Sequence, residues 1–188
     1  MLFAFVDESC RVRQDDACLY VLAAVVLPAE RLDQVRSVMD ALRHGKAPTV
    51  HWRTERAPRR SLIANTVASL DCASMVAVGF YGTPSRSERA RRRCLERLLP
   101  ELSIQRAGAV ILESRREQDA RDRAILTALR RQGRISSEMS VNWQRAGSDA
   151  ALWTADVVAG IVTGWLDGDQ QWWPLLEQQV TLLDAGEA

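Results

Sequence analysis

The chain has 188 residues, 47% of them hydrophobic, and a formal net charge of +1. That length buries one good core and not two, so a single domain over 1–188 is expected. The balanced charge gives no global pull toward nucleic acid or membrane, which leaves any electrostatic footprint to local clustering.

Lys46 is the only lysine among 25 basic residues, a bias that a GC-rich coding sequence explains more economically than function. Cys10, Cys18, Cys72 and Cys94 are widely spaced and form no C-x-x-C pair, which argues against a zinc site and a disulfide framework alike. The sequence has no run of 18 apolar residues, and its start lacks the basic region and cleavage site of a secretory signal. No membrane partner and a cytoplasmic location are therefore expected.

Leu2-Phe3-Ala4-Phe5-Val6 is an apolar run bounded by charge, the pattern of a strand buried on both faces, and it ends at Asp7-Glu8-Ser9. Acids at a strand end either open a polar turn or lie where an open sheet binds its ligands, where a carboxylate can hold a divalent metal or act as a general base. Leu19 to Leu27 forms a second strand, close enough across the polar segment Arg11 to Ala17 for an antiparallel hairpin. Pro28 stops it, after which Leu32, Val35, Val38, Met39 and Leu42 recur at helical spacing. The polar loop over 45–58 carries His51-Trp52. Here His51 is either a site residue folded over the carboxylates or a surface histidine stacked on its neighbour.

A helix over 61–70 and a strand over Met75 to Tyr81 follow. Ser85-x-x-Glu88 has the spacing of a capping box, so the next helix is expected to start there and end near Pro100. On that helix Arg86, Arg89, Arg93 and Arg97 form a ridge opposite Cys94, Leu95, Leu98 and Leu99. Such a ridge either tracks the phosphates of a nucleic acid or is a solvated face. Ala109 to Leu112 repeats the opening pattern and ends at Glu113. A strand reached after a helix is expected parallel to the first, which brings Glu113 and Asp7 to one sheet edge.

Asp119 to Arg131 reads as a helix with Ile125, Leu126 and Leu129 inward and Asp122 on the same face, and 137–143 as a half-exposed edge strand. Gly147-Ser148-Asp149 starts the last long helix, on which Asp149, Leu152, Trp153, Asp156 and Gly160 share a face. Asp156 stands in Ala155-Asp156-Val157-Val158-Ala159, and a carboxylate in so apolar a run calls for a charged or metal partner. Asp149, by contrast, is favoured in a first helical turn by the dipole alone. Trp172-Trp173-Pro174 leads a short terminal helix through Leu183, either a lid on the core or a contact to a second copy or a protein partner.

Three stretches carry a resemblance: Phe5-Val6-Asp7-Glu8-Ser9, the strand ending at Glu113, and Leu152-Trp153-Thr154-Ala155-Asp156-Val157-Val158-Ala159-Gly160. Together they resemble the DUF3800 family of the ribonuclease H-like superfamily, where D-E-S-G and L-Q-x-A-D are the usual forms. His51-Trp52 is similar to a histidine-aromatic element of that family. The chain departs from it at Cys10, where glycine is usual, and at Trp153, where glutamine is usual; neither departure touches a carboxylate. The resemblance implies an α/β architecture, a ribonuclease H-like mixed β-sheet flanked by α-helices. It further implies that Asp7, Glu113 and Asp156 converge as catalytic residues and hold two Mg2+ or Mn2+ ions for phosphodiester hydrolysis, with Glu8 and Asp149 as second-tier ligands. Because successive strand residues face opposite ways, only one of Asp7 and Glu8 can be an inner ligand, and Asp7 is the choice. The alternative expectation is a catalytically silent ribonuclease H-like module that binds nucleic acid or a protein partner through the arginine ridge or the Trp172-Trp173 end.

Overall fold

The computed structural model describes residues 1–13, 17–45 and 47–187. Strands β1 (Leu2–Val12) and β2 (Cys18–Pro28) form a long antiparallel hairpin, paired from Leu2 opposite Pro28 to Val12 opposite Cys18. The first strand therefore does not stop at Val6, and Asp7 and Glu8 lie within regular β structure and not in a polar turn. The amide of Arg13 donates to the carbonyl of Ala17 at 2.8 Å across the loop, whose residues 14–16 lie, like Lys46, outside the described residues.

The chain continues through α1 (Leu32–Ala41), α2 (Ala57–Ser69), β3 (Ala73–Tyr81), α3 (Ser87–Ile104) and β4 (Ala107–Glu113). It ends with α4 (Asp119–Arg131), β5 (Ser140–Gln144), α5 (Leu152–Leu166) and β6 (Val180–Glu187). The sheet order is β5-β4-β1-β2-β3-β6. β2 runs antiparallel to β1 and β3, whereas β1/β4, β4/β5 and β3/β6 are parallel pairs. The C-terminal ends of β1, β3, β4, β5 and β6 thus emerge at one edge of a mixed sheet.

Helices cover both faces, which is why β1, β2 and β4 read as continuous apolar runs and not as alternating ones. Phe5, Val21, Ala23, Val25 and Ile111 pack with α1, α2 and α5, while Ala4, Val6, Tyr20, Leu22 and Leu112 pack with α3 and α4. α5 lies over the central strands and is buried without interruption from Leu152 to Ala159. Among the described residues no helix is long and apolar enough to cross a membrane.

Three local expectations are corrected. The capping box does not form: Thr83 and Ser85 pair their hydroxyls at 2.9 Å, α3 starts at Ser87, and Glu88 is drawn away by Arg115. Pro100 does not end α3, which runs on to Ile104. A proline interior to a helix leaves the carbonyl four residues earlier without its amide partner. That carbonyl belongs to Glu96, and the Arg134 guanidinium donates to it at 2.8 Å. Finally, the terminal segment past Gln179 is a strand and not a helix. Leu176, Val180 and Leu183 have helical spacing, but β3 would otherwise present an open edge of backbone donors and acceptors, and β6 pairs with it from Ser74 opposite Val180 onward.

The strand assignment fixes which side chain matters. Leu183 is 7% exposed against the α3 layer, whereas its neighbour Leu182 is 40% exposed. Leu183→Ala should cost about 2–5 kcal/mol and Leu182→Ala about 0.5 kcal/mol or less, read from urea unfolding midpoints at unchanged slope.

Candidate active site

Strand alternation separates the two acids of β1. Phe3 and Phe5 pack toward α5 while Ala4 and Val6 pack toward α3, so Asp7 projects to the α5 face and Glu8 to the α3 face. Val6 is level with Leu112 of the parallel neighbour β4, which sets the next residues, Asp7 and Glu113, side by side. Glu113 and, from α5, Asp156 lie close enough for their charges to act on Asp7. Asp7 and Asp156 are each 8% exposed, and Glu113 is half-buried. The structure thus brings together the three acids singled out in the sequence. Burial, followed by the negative charges of Glu113 and Asp156, holds the Asp7 carboxyl well above the ordinary carboxylate range, against the opposing pull of Arg91. Among the described residues no three His, Cys, Asp or Glu side chains are already closed into a cation cage. The acids converge in direction but are not drawn in around a centre.

Asp156 is tolerated in an apolar helix because a loop satisfies it. Its Oδ2 accepts the backbone amide of Trp52 at 2.6 Å, and its Oδ1 lies 3.1 Å from Nδ1 of His51. The hydrogen bond to Asp156 raises the pKa of His51, with burial opposing and the charges of Asp156 and Glu113 adding to the rise. Of the two roles open to His51, the structure places it over the carboxylates. The loop itself is seated by Gly160, one turn beyond Asp156: a Cβ there would fall 2.0 Å from Cδ1 of Trp52. Behind it Trp172 meets Trp52 edge-on at 5.2 Å, and the Arg60 guanidinium lies 5.3 Å from the Trp52 ring while its Nε donates to the Trp52 carbonyl at 3.1 Å. Trp172 is consequently buried in the support of the site, while Trp173, half-buried, stacks on Trp165 at 4.2 Å.

On the opposite face of β1 lies a group of charges drawn from distant parts of the chain. Arg91 is 1% exposed; its Nε and Nη2 hold Asp122 at 3.0 and 2.7 Å, and its Nη1 reaches Glu8 and the Tyr20 hydroxyl. Arg115 joins Asp122 at 3.3 Å to Glu88 at 2.6 Å. Burial alone would raise the Asp122 carboxyl, but the hydrogen bonds and charge of Arg91, helped by Arg115, bring it below the usual value. Glu8 is therefore turned away from Asp7, as an ion-pair partner of Arg91 and Arg115. Arg91 was detectable from its place three residues before Cys94 and seven before Leu98, on the apolar side of α3. The same network pins the strand that carries Glu113: the Ser114 hydroxyl and the Arg115 amide both donate to Asp119, at 2.6 and 2.7 Å.

Asp149 is also placed elsewhere. Both its oxygens are held by Arg36, at 2.9 and 2.6 Å, and one accepts the Ala151 amide; α5 begins only at Leu152, so the helical face expected to align Asp149 with Asp156 does not form. The ridge of Arg86, Arg89, Arg93 and Arg97 rides on α3, across the sheet from the three acids, and Arg97 is engaged with Glu101. Trp153 packs into the core and donates its indole N–H to the Ala146 carbonyl at 2.7 Å, bracing the turn before α5. Cys10 stays in regular pairing opposite Tyr20, so the strand continues where the family's glycine would stand.

Comparison with solved structures now bears on this geometry. The ribonuclease H2 from Pyrococcus horikoshii OT3 superposes with a TM-score of 0.50 at 13% identity, over 95% of this chain and 77% of that one. Bst-RNase HIII in complex with Mn2+ does so with a TM-score of 0.51 at 16% identity, over 95% of this chain and 54% of that one. The chain has a ribonuclease H-like fold. It spans about half the length of the ribonuclease HIII (54%). No family model matches the sequence, and no curated protein matches it. The DUF3800 resemblance accordingly stands on its three motifs, while the ribonuclease H-like fold stands on the superposition.

Two measurements test the two faces of β1. Because the folded Asp7 binds its proton more tightly than an unfolded aspartate, its contribution to stability is full below the ordinary value of 3.8 and is lost as pH rises through the raised folded value. Without metal, Asp7→Asn should match the parent at low pH and exceed it increasingly as pH climbs, in thermal melts with chelator present. On the other face, Arg91→Met should cost about 3–5 kcal/mol, because it strands the buried Asp122. Denaturant unfolding checks this, and adding Asp122→Leu should return much of the loss.

Proposed function

We propose that this chain is a nuclease that hydrolyses phosphodiester bonds in nucleic acid with divalent cations, Mg2+ or Mn2+, held by Asp7, Glu113 and Asp156. The observation that carries the reading is the cluster of these three acids on the α5 face, where burial and two neighbouring charges outweigh Arg91 and hold the Asp7 carboxyl above the ordinary carboxylate range. A concentration of negative charge that is not balanced locally is what a cation relieves. Support comes also from the two superposed proteins, both ribonucleases by name and one of them in complex with Mn2+.

The donor set fits these metals. Carboxylate oxygens are hard ligands suited to Mg2+ and Mn2+, and each Asp156 oxygen, accepting one hydrogen bond, retains a second lone pair. Such cations, when bound, stabilise the charge that develops on the attacking and leaving oxygens of an in-line displacement. The residues of the chain do the rest. Asp7, whose carboxyl sits above the ordinary carboxylate range, gives up its proton as it becomes a ligand. The Trp52 amide fixes the rotamer of Asp156, and His51, tied through Nδ1, leaves Nε2 at the mouth of the site to exchange a proton with solvent or substrate.

Asp7→Asn is the more telling variant, since Asp156→Asn would also disturb the loop that caps it. With the parent, Mg2+ or Mn2+ should support cleavage of single-stranded or duplex oligonucleotides, and chelation should stop it. Cation at about 100 times its Kd should add about 2.7 kcal/mol, a rise in Tm of roughly 5–10 °C for a chain of this size. Asp7→Asn should abolish cleavage and most of the shift. A parent with neither cleavage nor a cation-dependent shift would retire the reading.

A further inference from the structure

Asp156 lines a groove of about 710 Å3. One wall is the part of β1 that runs past Glu8 to Val12, the other is the His51 to Arg53 segment, and α5 supplies the floor from Asp156 through Gly160 to Thr163. From Asp156 to Thr163 there are seven helical rises, which make that floor about 10 Å long, the axial length of roughly three nucleotides of one strand.

The charges lining it are not equivalent. Arg11 is paired with Asp167 at 2.9 Å, and Arg60 is spent on the Trp52 and Arg53 carbonyls and on two tryptophan rings. Arg53 is exposed and, among the described residues, its side chain has neither a hydrogen bond nor an ion pair. Its charge is nevertheless felt on both walls, by His51 and by Cys10. The aromatic lining is closed: Trp52 is 5% exposed and Tyr81 6%, so neither offers a face on which a base could stack.

We propose that this groove seats the sugar-phosphate backbone of one nucleic-acid strand on its way to the carboxylates, with Arg53 as the phosphate anchor and without readout of bases. It rests on the proposed nuclease reading for the chemistry at its end. It also moves the phosphate contacts from the α3 ridge, which lies behind the sheet, to the loop that caps Asp156.

Binding can be measured apart from cleavage in an Asp7→Asn background, by fluorescence anisotropy of short oligonucleotides of unrelated sequence across a salt titration. Arg53→Gln should weaken binding by a similar factor for every sequence and lower the log–log salt slope by about one. Arg89→Gln, on the ridge, should leave both unchanged. A second readout uses Cys10, the exposed thiol, against Cys18, Cys72 and Cys94, which are buried: oligonucleotide should slow its alkylation. A slope lowered by Arg89→Gln and not by Arg53→Gln, Cys10 alkylation indifferent to oligonucleotide, or no oligonucleotide binding at all each overturns the inference. If the parent cleaves with Mn2+ while Arg53→Gln binds normally, the groove assignment fails and the nuclease reading stands; binding through Arg53 without cleavage gives the reverse.

Discussion

Everything at this site depends on the alternation of one strand. Consecutive residues of β1 face opposite layers, so the adjacent acids Asp7 and Glu8 are sent to different environments by geometry alone. Asp7 enters a pocket of like charge; Glu8 enters a buried network with Arg91, Asp122 and Arg115. The second arrangement supports the first. Strand β1 is tied through Glu8, and strand β4 through Ser114 and Arg115, to the same pair of helices on the far side of the sheet. Two carboxylates that repel each other are thereby kept in register by attractions they do not share.

The parts of this arrangement that sequence reveals are those governed by local pattern. Apolar runs ending in acids gave strands with Asp7 and Glu113 at one edge, and an acid in the middle of Leu152 to Ala159 was anomalous enough to be singled out as Asp156. What escaped was governed by pairing between distant residues. Glu8 differs from Asp7 by a single position, and its partner Arg91 is 83 residues away, one arginine among many on α3. Gly160 could be placed on the face of Asp156, but nothing in its neighbourhood says that the space it leaves belongs to Trp52. The last strand is hidden from local pattern for a related reason: residues 175–183 have helical spacing, and only the unpaired edge of β3 decides otherwise.

The α3 helix illustrates how a broken local rule is made good by a distant group. Pro100 and the unformed capping box both argue for a shorter helix, yet the carbonyl left by Pro100 is taken by Arg134 and Glu88 is taken by Arg115. Arginine is suited to both tasks because its planar fork reaches carbonyls and carboxylates at some distance from its own backbone. An arginine-rich composition thus has a structural use in this chain, apart from any contact with phosphate.

The loop that caps Asp156 reaches it through one amide and one imidazole, and meets α5 through the Trp52 indole that fits where Gly160 has no side chain. Its docking and the state of Asp156 are consequently two sides of one equilibrium. Whatever fixes the Asp156 carboxylate in place tightens the loop, and whatever tightens the loop fixes that carboxylate, by the same free energy in each direction. A change that loosens Trp172 or Arg60 can therefore reach the acid without touching it.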